Sequence, residues 1–104
     1  MNGQFIVKSQ VKHTDYEYRN SNVVVTGSIR YDIVTSTVNE INGSVCEANQ
    51  DTTGAYIGNF SGRPNNGEME YSLSQMKRSN SVKTWDAIDE IEEAAEEQAD
   101  PQAE

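Results

Sequence analysis

Basic residues are missing from the end of this chain. The last 21 residues, 84–104, hold nine acids and no lysine, arginine or histidine. Residues 1–83 hold eight bases and eight acids, so the whole net charge of −9 lies on the final fifth. Cysteine is almost absent as well. Cys46 stands alone, which excludes an internal disulfide. Long hydrophobic runs are missing too. None exceeds three residues, as in Phe5-Ile6-Val7 and Val23-Val24-Val25, whereas a membrane-spanning helix needs about 20. The N-terminus MNGQFIVKSQ has neither the basic start nor the apolar stretch of a signal peptide. With the lone cysteine, this leads to the expectation of a reducing, cytoplasmic setting.

The groups that most catalytic sites need are equally scarce. His13 is the only histidine, in phase with the apolar residues before it and with no cysteine or carboxylate cluster at ligand spacing. It reads as structural. Cys46 has Glu47 beside it and no neighbouring base, so it reads as an inert thiol. No glycine-rich phosphate loop, HExxH or GxSxG pattern occurs. The acids of the tail do not alternate around a glycine as in a calcium loop. The expectation is a non-enzyme without metal or cofactor.

What is present is β-patterning. At 104 residues, 35% apolar and with a mean hydropathy of −0.76, the chain has room for one small core. Period-two alternation marks strands. In segment 5–13, Phe5, Val7 and Val11 share a face, with Lys8, Gln10 and Lys12 opposite. In segment 22–34, Val23, Val25, Ile29, Tyr31 and Ile33 line one face, and Gly27 on that face signals a bend, a bulge or a close approach by another side chain. Ile41 and Val45 share a face in segment 37–47. Segment 55–61 sets Tyr56 and Phe60 against Ile57, and segment 68–74 sets Met69, Tyr71 and Leu73 against Glu68, Glu70 and Ser72. Gly62 to Gly67, ending in Asn66-Gly67, reads as a hairpin loop. Short links favour antiparallel neighbours, so the fold expected is mainly β: an antiparallel meander of about five strands, as a sheet or half-open barrel, followed by an acidic helix.

The boundaries expected are a β-domain over 1–76, a polar and basic linker over 77–83, a helix over 84–99 and a loose tail over 100–104. Thr84 is placed as the helix cap. Trp85, Ile88, Ile91 and Ala95 recur at helical spacing and form a narrow apolar stripe. Asp86/Glu90, Asp89/Glu93, Glu92/Glu96 and Glu93/Glu97 are like-charge pairs four residues apart, each costing about 0.2–0.5 kcal/mol. Charge therefore opposes this helix, and a surface must hold its stripe. That surface is either the protein's own sheet or a groove on a partner.

The leading functional expectation is a non-catalytic module working through protein–protein contact, with Trp85, Ile88, Ile91, Asp86, Asp89 and Glu90 as the residues meeting a partner with a basic groove. The alternative is a nucleic-acid-related protein. It would be either a weak single-strand binder, with Lys8, Lys12 and Arg30 on a polar sheet face and Tyr16, Tyr18 and Arg19 in the first loop, or an acidic mimic of nucleic acid. The body is neutral, which disfavours backbone binding. Free strand edges leave room for self-association.

Overall fold

The computed structural model describes residues 3–49 and 52–99. Five strands form one antiparallel sheet in the order β1-β2-β3-β4-β5: β1 Val11–Arg19, β2 Val23–Asp32, β3 Thr37–Asn49, β4 Thr52–Asn65 and β5 Glu68–Ser74. A single helix, α1 Arg78–Ala99, follows. The sheet is open, with β1 and β5 as its edges. The mainly-β meander with a C-terminal acidic helix is therefore the fold. Residues 100–104, expected to be a loose tail, lie outside the described residues.

The turns follow from their sequences. The side-chain oxygen of Asn20 accepts from the amides of Asn22 (2.7 Å) and Val23 (2.8 Å), closing the β1–β2 turn. The carboxylate of Asp32 accepts from the amides of Val34 (2.9 Å) and Thr35 (3.3 Å) at the β2–β3 turn. Asn66 and Gly67 both carry positive φ, +54° and +88°, and make a two-residue hairpin between β4 and β5.

Three element boundaries differ from expectation, each for a physical reason. The first strand is Val11–Arg19, not 5–13. β2 ends at Asp32, opposite Val11, so little of β2 remains for residues before Gln10 to pair with. β4 runs through Gly62-Arg63-Pro64 to Asn65 rather than stopping at Ser61. Its pairing with β3 reaches only to Gly62, so nothing there needs the amide that Pro64 lacks. The helix begins at Arg78, inside the expected linker, and Thr84 is a buried mid-helix residue rather than a cap. The hydroxyls of Ser81 and Thr84 donate to the carbonyls of Arg78 (2.7 Å) and Asn80 (2.8 Å), so these polar side chains are satisfied within the helix.

The helix lies across one face of the sheet. Val23, Val25, Ile29, Tyr31, Ile41, Val45 and Phe60 form the sheet side of the core, and Ala87, Ile88, Ile91, Ala95 and Ala99 form the helix side. Magnitudes decide why the helix holds. The four like-charge pairs oppose it by about 1–2 kcal/mol in total. Burying Ile88 and Ile91 contributes about 1.5–3 kcal/mol each.

A row of residues across the covered face explains its close packing. Tyr16, Gly27, Gly43 and Phe60 are neighbours on successive strands. A methyl group on Gly43 would sit 2.8 Å from the Tyr16 hydroxyl and 2.9 Å from the Phe60 ring. The glycines thus open a trough that the aromatic side chains enter from either side. Tyr16 reaches across it to donate to the carbonyl of Asn42 at 2.8 Å. Of the bend, bulge or close approach expected at Gly27, the last is present, made by the backbone carbonyl of Asn42 rather than by a side chain.

The opposite face is polar, carrying Thr26, Ser28, Asn42, Ser44, Asn59, Ser61 and Ser72. Val24 is buried on this face, 2% exposed. Arg19, paired with Val24, reaches as far as the carbonyl of Thr52 at 3.3 Å. In β4 the expected faces change. Ile57 packs against the core with Phe60, while Tyr56 is half exposed. Gly58, at φ +145°, and the register shifts beside Cys46 interrupt the alternation there.

Candidate protein-binding surface on the acidic helix

The stripe read from the sequence divides in two. Ile88 and Ile91 are 1% and 3% exposed and belong to the protein's own core, so both are withdrawn from the partner-contacting set. The reason is the covered sheet face, which offers them Val23, Val25, Ile29 and Ile41. Trp85 behaves differently. It is 42% exposed, although Thr84 beside it is fully buried. Its ring meets Tyr71 of β5 edge to face, with centroids 5.8 Å apart at 86°. Tyr71 in turn meets Phe60 at 6.2 Å and 66°. An aromatic ladder therefore runs from the core to the surface and ends in the indole.

Two tyrosines pin the helix from opposite sides of the sheet. The Tyr18 hydroxyl, on β1, donates to Glu90 Oε2 at 2.5 Å. The Tyr71 hydroxyl, on β5, donates to Glu92 Oε1 at 2.6 Å. Hydrogen bonds to a carboxylate are stronger than neutral ones. Burial pushes both phenols above their ordinary range, and the neighbouring glutamates push them further. Burial alone raises Tyr16 in the same direction. Tyr71 also packs on Gly62, its partner across β4 and β5, where a methyl would run into the ring.

The remaining acids form the outer surface. Asp86, Asp89 and Glu90 are exposed, as are Glu93, Glu96 and Glu97. At 100° per residue, Trp85 and Asp89 share the flank toward β5. Asp86 and Glu90 share the flank toward β1. Of the candidate acids, Glu90 is engaged by Tyr18 and Asp89 lies one turn above the indole. Thr84, Ala87 and Ala99 are buried members of the packing face that the stripe did not include. Alanine is small enough to hide in an acidic segment, and a spacing of four is the signal that marks it: Ala87 stands four residues before Ile91 and Ala99 four after Ala95.

The nucleic-acid set does not converge. Tyr16 and Tyr18 lie on strand β1, not in a loop, because the tyrosines alternate with Glu17 and Arg19 at strand period. Both face the helix. Arg19 and Arg30 project from the opposite face, where Arg30 pairs with Glu40 at 3.3 Å and Arg19 with Glu17 at 4.0 Å. Lys12 sits opposite Tyr31 and so shares the helix side, away from Arg30. Lys8 is exposed ahead of β1. The antiparallel register, which sets even residues of β1 against odd residues of β2, splits these cations.

His13 is exposed, with Nε2 at 3.5 Å from Asp15. Cys46 is a half-buried free thiol opposite Val24. Among the described residues, no group of three or more His, Cys, Asp or Glu side chains comes together as a metal site. No helix among them is long and apolar enough to cross a membrane. No protein-family model, curated protein or solved structure matches this chain.

Proposed function

We propose that the protein is a non-catalytic module that binds another protein through the outer face of α1, with Trp85 as the anchor. The observation that carries this reading is the exposure of Trp85 on a helix that buries Ile88 and Ile91, with Val82, 71% exposed, three residues before it. Indoles left half exposed in a rigid setting are typical anchors of protein contacts. The edge-to-face contact with Tyr71 fixes the ring before binding, which reduces the ordering that association requires. Asp89 stands one turn on along the same flank and Asp86 lies toward β1, so the partner is a surface with an apolar pocket rimmed by basic residues.

The test is capture from the native host with the intact chain and with Trp85→Ala. Capture is expected to fall at least about tenfold, the ordinary weight of an anchoring residue, while the circular dichroism of the sheet is unchanged. Capture that survives the change sinks the proposal. If capture instead fails only when Asp86, Asp89 and Glu90 become amides, the acidic face acts by charge alone, as a nucleic-acid mimic would.

A further inference from the structure

The N-terminal arm gathers the longest run of apolar side chains standing in the open. Residues 3–10 are all exposed. Phe5 is 92% exposed, and Ile6, Val7 and Val11 are about half or more exposed. The arm is a direct prolongation of the edge strand. The Gln10 carbonyl accepts from the amide of Ile33 at 3.2 Å, continuing the β1–β2 register by one step. The Gln10 amide donates to Asp32 Oδ1 at 3.1 Å. Gln10 is thus held in line with β1, and residues 3–9 precede it beyond the end of the β1–β2 register.

Beside β1 there is an unfilled groove. It encloses about 240 Å³ between the strand and the helix, lined chiefly by Thr14, Tyr16, Tyr18, Ile91, Ala94 and Ala95. Ala94, which is exposed, also borders the acidic flank formed by Glu90, Glu93 and Glu97. The groove is therefore apolar at its floor and acidic at its rim. The outer edge of β1 adds a free row of backbone donors and acceptors.

We propose that the occupant is a second copy of this chain, and that two copies join edge to edge through β1 and the arm. Three features select a second copy over another partner. The first is length. β1 has nine residues, and the arm of residues 3–10 spans all of it beyond Val11 when the twofold axis passes through Val11. In that antiparallel register, residue pairs sum to 22. Val11 meets its own copy, an apolar pair, and each arm covers the other chain's edge strand at the same time. The interface closes on itself. The second is face. Even residues of β1 look toward the helix, so in a continued strand Ile6 and Lys8 do so too. Ile6 then stands beside the partner's Tyr16 at the apolar groove, and Lys8 beside the partner's Thr14. The third is charge. α1 runs antiparallel to β1, since Glu90 is bonded to Tyr18 and Gln98 lies at the groove that Thr14 lines. Lys8 therefore comes up under the partner's Glu97. The pairing puts a base of the neutral body against the acidic helix of the other copy. Strand addition supplies the backbone bonds, and the alternating side chains supply the selectivity.

The experiment is size exclusion with light scattering on the full chain over a concentration series, with circular dichroism to confirm folding of each variant. The expected mass at high concentration is twice the 11.6 kDa of one chain. Ile6→Asp, at an exposed site, is expected to leave only monomer. Lys8→Glu and Glu97→Lys are each expected to weaken the dimer about tenfold, because each turns two attractions into two repulsions. The double variant Lys8→Glu with Glu97→Lys restores it. A wild-type chain that stays monomeric overturns the proposal. So does a dimer that Ile6→Asp leaves intact, a species larger than a dimer, or a double variant that stays weak. Trp85→Ala, which tests the helix surface, leaves this dimer unchanged.

Discussion

The two faces of the sheet are made from the same five strands, and they are held together differently. On the covered face, valines, isoleucines and aromatics pack against α1 around two glycines. On the open face, serines, threonines and asparagines stand in rows, with Val24 buried among them. Hydrophobic burial stabilises the first, while backbone ladders with weak polar pairs carry the second. The difference teaches that the helix is structural before it is functional. Its acidity belongs to the outer surface, and its order comes from the inner one.

The sharpest way to break this contrast is to remove the cover. A chain ending at Lys83 loses Ile88, Ile91 and the alanines of the core. Two buried isoleucines alone are worth about 3–6 kcal/mol, a large part of a small domain's stability of about 5–15 kcal/mol. The truncated chain is expected to unfold or aggregate, read by a thermal melt. An unchanged melting temperature would show that the sheet stands by itself. The next largest effect is expected inside the trough. Gly43→Ala forces Tyr16, Phe60 or Val25 to move and is expected to destabilise by about 1–3 kcal/mol in urea unfolding. The neighbouring Ser44→Ala, on the open face, is expected to change stability by under about 0.5 kcal/mol.

A smaller effect separates the faces by pH. Burial raises Tyr16 and Tyr71 above the ordinary phenol, and Glu92 raises Tyr71 further. A raised value in the folded state means that the neutral phenol is favoured there. Its stabilising share is complete below the unfolded value of about 10 and is lost as pH rises through the folded one. Stability is therefore expected to decline above about pH 10, and Tyr71→Phe to flatten that decline. Denaturant midpoints across alkaline pH give the measurement, and an unaltered slope in the variant refutes the assignment. The smallest effect belongs to the open face. Arg30→Ala breaks an exposed ion pair with Glu40 and is expected to cost about 0–1 kcal/mol. A larger loss would mean that the open face carries more of the fold than its polarity implies.

Period-two alternation made the central strands legible. The core face of β2 follows from Val23, Val25, Ile29 and Tyr31, and Asn66-Gly67 marks the hairpin between β4 and β5. The edges were less legible because alternation does not say whether a partner strand exists. Phe5, Ile6 and Val7 look like strand residues, yet β2 ends before it can pair with them. The bulge near Gly58 reversed the faces of Tyr56 and Ile57, since one irregular residue shifts everything beyond it. In the helix, spacing located Ile88 and Ile91 but could not say which side of the stripe meets the sheet. Thr84 and Ala87 centre the buried arc away from Trp85, and that offset leaves the indole in the open. Tyr18 and Tyr71 reach Glu90 and Glu92 from 72 and 21 residues away, distances at which no local pattern operates.

The glycine row has a consequence for how the strands find one another. Alternation of apolar and polar residues forbids a slip of one position, because it would turn a whole strand inside out. It does not forbid a slip of two. On a sheet whose outer face is nearly uniform in serine, threonine and asparagine, that error would leave little trace there. The trough prevents it. Shifted by two, Tyr16 would face Val25 or Ile29 instead of Gly27, and its ring would have nowhere to lie. The two glycines therefore act as an index mark, visible to the folding chain only from the side that the helix later closes.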